Sequence, residues 1–104
     1  MRKAKLRVAR SKANVFRDLG FAREEAEHLL IRGRLMIQIE RVLKARGLTQ
    51  AAAAKIMRVT QPRVSDLLRG KIALFSTDTL IDMLARLGVR VRLVTTPARS
   101  RRAA

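Results

Sequence analysis

Residues 48–71 read LTQAAAAKIMRVTQPRVSDLLRGK, from Leu48 to Lys71, and their grammar decides the fold. Thr49 is placed to cap a helix by accepting backbone N–H groups of its first turn, and Ala51 to Ile56 then propagate with high helix propensity. Their small side chains let another helix pack close. Arg58-Val59-Thr60 interrupts the run, and Thr60 or Gln61 can cap again. Pro62 is tolerated in a first turn, where its missing N–H has no intrahelical partner to lose. In the helix that follows, Val64, Leu67 and Leu68 stand at i, i+3 and i+4 and are expected to face a core. Gln61, Arg63, Ser65, Asp66 and Arg69 are left for solvent.

Two short helices joined by a tight turn are the geometry in which the second enters the DNA major groove. The side-chain chemistry agrees: Gln pairs bidentately with adenine, Arg with guanine, and Asp accepts from cytosine. An ordinary helical hairpin has the same periodicity, so composition must weigh in. Lys and Arg number 24 against 8 Asp and Glu, a formal charge of +16. Such an imbalance draws a small protein to polyanions, of which nucleic acid is the prime candidate. Phe16, Phe21 and Phe75 are the only aromatics, so platforms for stacking unpaired bases are scarce and duplex DNA is favoured.

With 104 residues the chain accommodates one compact domain and two tails. It has no cysteine, which excludes disulfides and cysteine zinc sites and makes a cytoplasmic setting the expectation. No run of eighteen apolar residues exists to span a membrane, and the N-terminus lacks the apolar stretch of a signal peptide.

Upstream, residues 1–13 form a basic arm expected to be disordered, although Lys5-Leu6-Arg7-Val8 alternates like a short edge strand. Phe16, Leu19 and Phe21 make an apolar knot suited to plugging the end of a bundle. Ala22 to Ala45 is helical in character, with Glu24 and Glu25 early, Arg41 and Lys44 late, and Gly47 as a stop. Leu29, Met36 and Leu43 recur every seven residues, flanked by Leu30 and Ile37 and widened by Ile39 and Val42. Gly33 costs about 1 kcal/mol relative to Ala inside a helix, so the segment reads as one helix with a weak spot or as two in sequence.

Downstream, Gly70 reverses the chain, and Ile72, Leu74 and Phe75 are expected to return it to the core. Ser76 caps a helix from Thr77 to Leu87, with Asp78 in its first turn, Arg86 in its last and Gly88 just beyond. Leu80, Leu84 and Leu87 form its buried line. Ile81 and Met83, to either side, are read as a dimer seam. Val89 to Thr95 alternates, which predicts a strand over 89–96 whose Val89, Val91 and Leu93 pair across a two-fold axis or with the Leu6 region. Residues 97–104 are a second basic tail.

Catalytic chemistry finds no foothold. His28 sits one turn from Glu24 and from Arg32, as in a surface ion cluster, and Asp82 is spaced to pair with Arg86. There is no glycine-rich phosphate loop, nucleophile elbow or metal-ligand spacing, so no enzyme, cofactor or metal is expected.

Leu48-Thr49-Gln50, Gln61 to Lys71 and Phe75 to Ile81 together resemble the Xre/Cro-like helix-turn-helix family. With Asn14 to Gly20 and Leu84 to Val89, the chain is most similar to its HigA-type antitoxin branch over residues 14 to 95. The resemblance implies an all-α fold of the lambda-repressor-like type, a five-helix or near five-helix bundle over residues 14–88, followed here by one short C-terminal β-strand. It implies a transcriptional repressor that binds a palindromic operator in double-stranded DNA as a homodimer, autoregulates its operon, and in the antitoxin branch also binds a ribonuclease toxin. Gln61, Arg63, Ser65 and Asp66 are the expected base contacts; Gln50, Arg58, Thr60, Arg69 and Lys71 are the expected phosphate contacts. Ala52 stands where the family often has Glu, Ala53 where a larger apolar residue is usual, and Arg58 where Gly is common. The last forces a left-handed backbone onto a residue with a Cβ, at about 1 to 2 kcal/mol.

Overall fold

The computed structural model describes residue 20 and residues 22–97. The basic arm, the Phe16, Leu19 and Phe21 knot and most of the C-terminal tail lie outside the described residues. Four α-helices follow one another: α1 Arg23–Ala45, α2 Gln50–Met57, α3 Gln61–Leu68 and α4 Thr77–Arg86, with a 3-10 turn Ile72–Leu74 between the last two. Among the described residues the five-helix expectation is therefore corrected to four and a 3-10 turn.

Each of the last three helices starts where a hydroxyl side chain can accept its open donors. Thr49 Oγ1 accepts from the Ala52 N–H at 3.1 Å, Thr60 Oγ1 from the Arg63 N–H at 3.4 Å, and Ser76 Oγ from the Thr79 N–H at 3.1 Å. The second cap is thus Thr60, with Gln61 already inside α3. All four helices end alike, in a turn whose N–H reaches back to a carbonyl five residues earlier: Leu48 to Leu43, Val59 to Ala54, Lys71 to Asp66 and Val89 to Leu84. This closure needs one residue at positive φ, supplied by Gly47, Gly70 and Gly88 at three ends and by Arg58, at φ 59° and ψ 44°, at the fourth. The exception lies in the turn between α2 and α3.

α1 is one continuous helix through Gly33. Its Met36, Ile39 and Leu43 pack with Ala53, Ala54 and Met57 of α2, Val64 and Leu67 of α3, Phe75, and Leu80, Met83, Leu84 and Leu87 of α4 into a single core. Small Ala53, wholly buried, is what allows α2 to lie close. Two arginines satisfy carbonyls that the core would otherwise strand. Arg86 Nη1 donates to Met57 O at 3.1 Å, meeting the negative end of α2, and Arg32 Nη1 donates to Phe75 O at 3.4 Å. Arg86 thereby serves α2, where an Asp82 partner was expected.

The structure also corrects several burial expectations. Leu68, the last residue of α3, is 36% exposed and lines an open depression with Leu43 and Leu48, while Leu67 takes the buried position in that turn. Leu74 is half exposed, since the 3-10 turn sends Phe75 inward in its place. Met83 is wholly buried in its own chain and has no surface to offer a partner. Beyond α4, residues 89–97 run without helix or strand, so the expected strand over 89–96 is absent. A strand needs a ladder partner, and among the described residues none lies alongside.

A Cβ on Gly33 would meet Ile72 Cδ1 at 3.7 Å, an ordinary contact, so the glycine is not required sterically. Gly33→Ala is expected to raise unfolding stability by about 1 kcal/mol, as read from urea denaturation midpoints. A loss of stability would mean that α1 must yield at that point.

Candidate DNA-binding surface

α2 and α3, with the turn at Arg58, carry the candidate surface. Val64 and Leu67 anchor α3 to the core, and the opposite face turns outward. Gln61, Pro62 and Arg69 are exposed there, and Arg63, Ser65 and Asp66 are half-buried. Of the expected phosphate contacts, Gln50, Arg58, Thr60 and Lys71 are all exposed as well.

Two of the expected contacts are brought together. Lys71 Nζ lies 3.4 Å from Asp66 Oδ1, across the turn that Gly70 makes possible. With both side chains partly open to water, the pair is weak and can be exchanged for a phosphate and a base. Arg63 is held elsewhere: its Nη1 donates to Leu74 O at 2.8 Å and its Cζ stands 4.1 Å from the centroid of the Phe75 ring. Sequence reasoning missed this tether. Its only signal was an arginine eleven and twelve residues ahead of an exposed carbonyl and an aromatic ring, a separation that no helical or strand period contains.

The electrostatics distinguish these two helices from the others. α1 begins with Glu24 and Glu25 in its first turn and α4 with Asp78, so the positive ends of their dipoles are met within the protein. α2 and α3 have no acid in their first turns. No acid of their own first turns meets the positive ends of these two helices, and Arg58, Arg69 and Lys71 add exposed cations in the turns that follow them, as suits a polyanion. Among the described residues no cluster of His, Asp or Glu could hold a metal ion, and no helix is long and apolar enough to cross a membrane.

A family model described as a helix-turn-helix domain, HTH_37, matches residues 15–96. The chain belongs to this helix-turn-helix family. A solved structure titled "Putative XRE Family Transcriptional Regulator" shares 34% sequence identity and superposes with a TM-score of 0.68, covering 77% of this chain and 90% of that one. No curated protein matches the sequence. The Xre/Cro-like reading of the helix-turn-helix thus holds at the level of family and fold.

Arg58 keeps a left-handed backbone at a place where glycine would relax it, and its side chain is exposed beside α3. Arg58→Gly is expected to stabilise the fold by about 1 kcal/mol, the relieved strain less the added backbone entropy. The same variant should weaken binding to any duplex and flatten the salt dependence by about one ion, if the arginine meets a phosphate. Calorimetric unfolding and anisotropy titrations across a salt series measure the two effects separately, and unchanged DNA affinity would remove Arg58 from the interface.

Proposed function

We propose that the protein is a sequence-specific transcriptional repressor that binds a palindromic operator in duplex DNA as a homodimer and acts in the cytoplasm as the autoregulating antitoxin of a toxin-antitoxin operon. One observation carries the DNA-binding part. The two helices of the helix-turn-helix are the two α-helices with no acid in their first turns, and Gln61 and Pro62 of α3, with Arg69 at its end, are open to solvent. α3 enters the major groove, with Gln61, Ser65 and Asp66 at base edges, while Gln50, Arg58, Thr60, Arg69 and Lys71 meet the flanking backbone.

The dimer draws support from the exposed apolar side chains beyond the DNA surface. Ile81 on α4, with Val91 and Leu93 in the extended stretch that follows, are open to solvent, and Val89 packs at the edge of the core. The antitoxin role rests on the resemblance of residues 14–95 to the HigA-type branch.

Fluorescence anisotropy on the protein's own upstream duplex and on shuffled DNA of equal length, across a salt series, tests the reading. Specific readout predicts a preference of about 10³ or more that survives as salt suppresses the phosphate contribution. Equal affinities and equal salt slopes would reject it. Lys71→Ala is expected to weaken operator and shuffled DNA alike and to lower the salt slope by about 1. Footprints should show two protected half-sites about 34 Å apart, and protection of one isolated half-site would reject the dimer. Copurification with a ribonuclease encoded beside it tests the antitoxin role.

A further inference from the structure

We infer that Arg63 is a positioning residue of the recognition helix, aligning its tip through Phe75, and that discrimination at that tip is made by Gln61. The inference rests on the DNA-reading function proposed above and assigns the work within that site.

α3 has eight residues, a length at which a helix has little stability of its own. Its first turn is held loosely: the Thr60 cap bond is long, at 3.4 Å, and Pro62 brings no N–H. Besides the buried Val64, what ties that turn to the body of the protein is the Arg63 side chain. Its guanidinium covers one face of the Phe75 ring and donates at 2.8 Å to the Leu74 carbonyl. Phe75 is a fixed point, 1% exposed in the core and leading into the Ser76 cap of α4, with its own carbonyl held by Arg32 from α1.

A guanidinium reads guanine through a planar fork aimed at O6 and N7. Here the guanidinium carbon lies 4.1 Å from the ring centroid and Nη1 is engaged by Leu74 O, so swinging the fork out to a base edge costs the charge-assisted bond and the ring contact. Gln61 carries no such commitment. It is exposed, two residues ahead of Arg63 in the same turn, and its amide has the donor and acceptor that adenine requires. The tether sets the angle at which that amide meets the base.

The test uses full-length protein. A pool of duplexes with a randomised central segment gives the best-bound sequence, and affinities for all its single-base variants are then measured for wild type, Gln61→Ala, Arg63→Ala, Arg63→Lys and the Gln61→Ala/Arg63→Ala double variant. Positioning predicts that Arg63→Ala loses discrimination, by about tenfold, at the base pair that Gln61→Ala identifies, and loses none further in the double variant. Arg63→Lys keeps the charge but not the fork or the stacking, and is expected to behave as Arg63→Ala. Loss at a separate G·C pair would overturn the assignment and make Arg63 a base reader. Equal loss on every duplex, random DNA included, would overturn it in favour of a purely electrostatic or structural role. A wild-type protein with no preferred sequence would overturn the DNA-reading function itself, and this assignment with it.

Discussion

Burial of Phe75 is the constraint on which the rest of the domain depends. It is the one aromatic side chain among the described residues, and it reaches the core from a 3-10 turn rather than from a long helix. Around it α1, α3 and α4 converge: Arg32 holds its carbonyl, Arg63 covers its ring, and Ser76 beside it opens α4. An aromatic ring buries more apolar surface than any single aliphatic neighbour here, and its quadrupole gives an arginine a reason to stack. The strap between α3 and α4 is thereby pinned to the core at Phe75, while Leu74 beside it stays half exposed.

Much of the fold was legible in the sequence because helix ends are local events. Thr49, Thr60 and Ser76 cap as their chemistry requires, and Gly47, Gly70 and Gly88 close the turns where they stand. Arg58 at positive φ followed from the resemblance, which puts glycine at its place. Burial was harder to read. Leu68, Leu74 and Met83 satisfy the same apolar spacings as their neighbours, yet the bundle buries only Met83, since periodicity says which face a residue shares and not how far the opposing wall extends. The alternation of Val89 to Thr95 speaks for a strand only when a second strand is at hand.

The candidate site was legible as a set and less so as an arrangement. Charge and residue type marked out α3, its turn and the residues around them. The partners of Arg63 depend on how the 3-10 turn folds back, which no spacing announces, while Asp66 and Lys71 meet across the turn at Gly70. A protein with so many cations has few internal acids to occupy them. Carbonyls take that place, and Arg32, Arg63 and Arg86 each hold one.

Pro62 has a consequence for the two helix tips. At the tip of α2 the Gln50 and Ala51 N–H groups stand ahead of the first capped donor, that of Ala52, which leaves two adjacent amides for one phosphate oxygen pair. At the tip of α3 the Arg63 N–H is taken by Thr60 and Pro62 has none, so Gln61 alone presents a main-chain donor. One tip is built as an anion cradle and the other nearly stripped of that ability. In the proposed complex with a duplex this asymmetry would favour α2 against the sugar-phosphate rail and leave α3, with little to gain there, to go deeper.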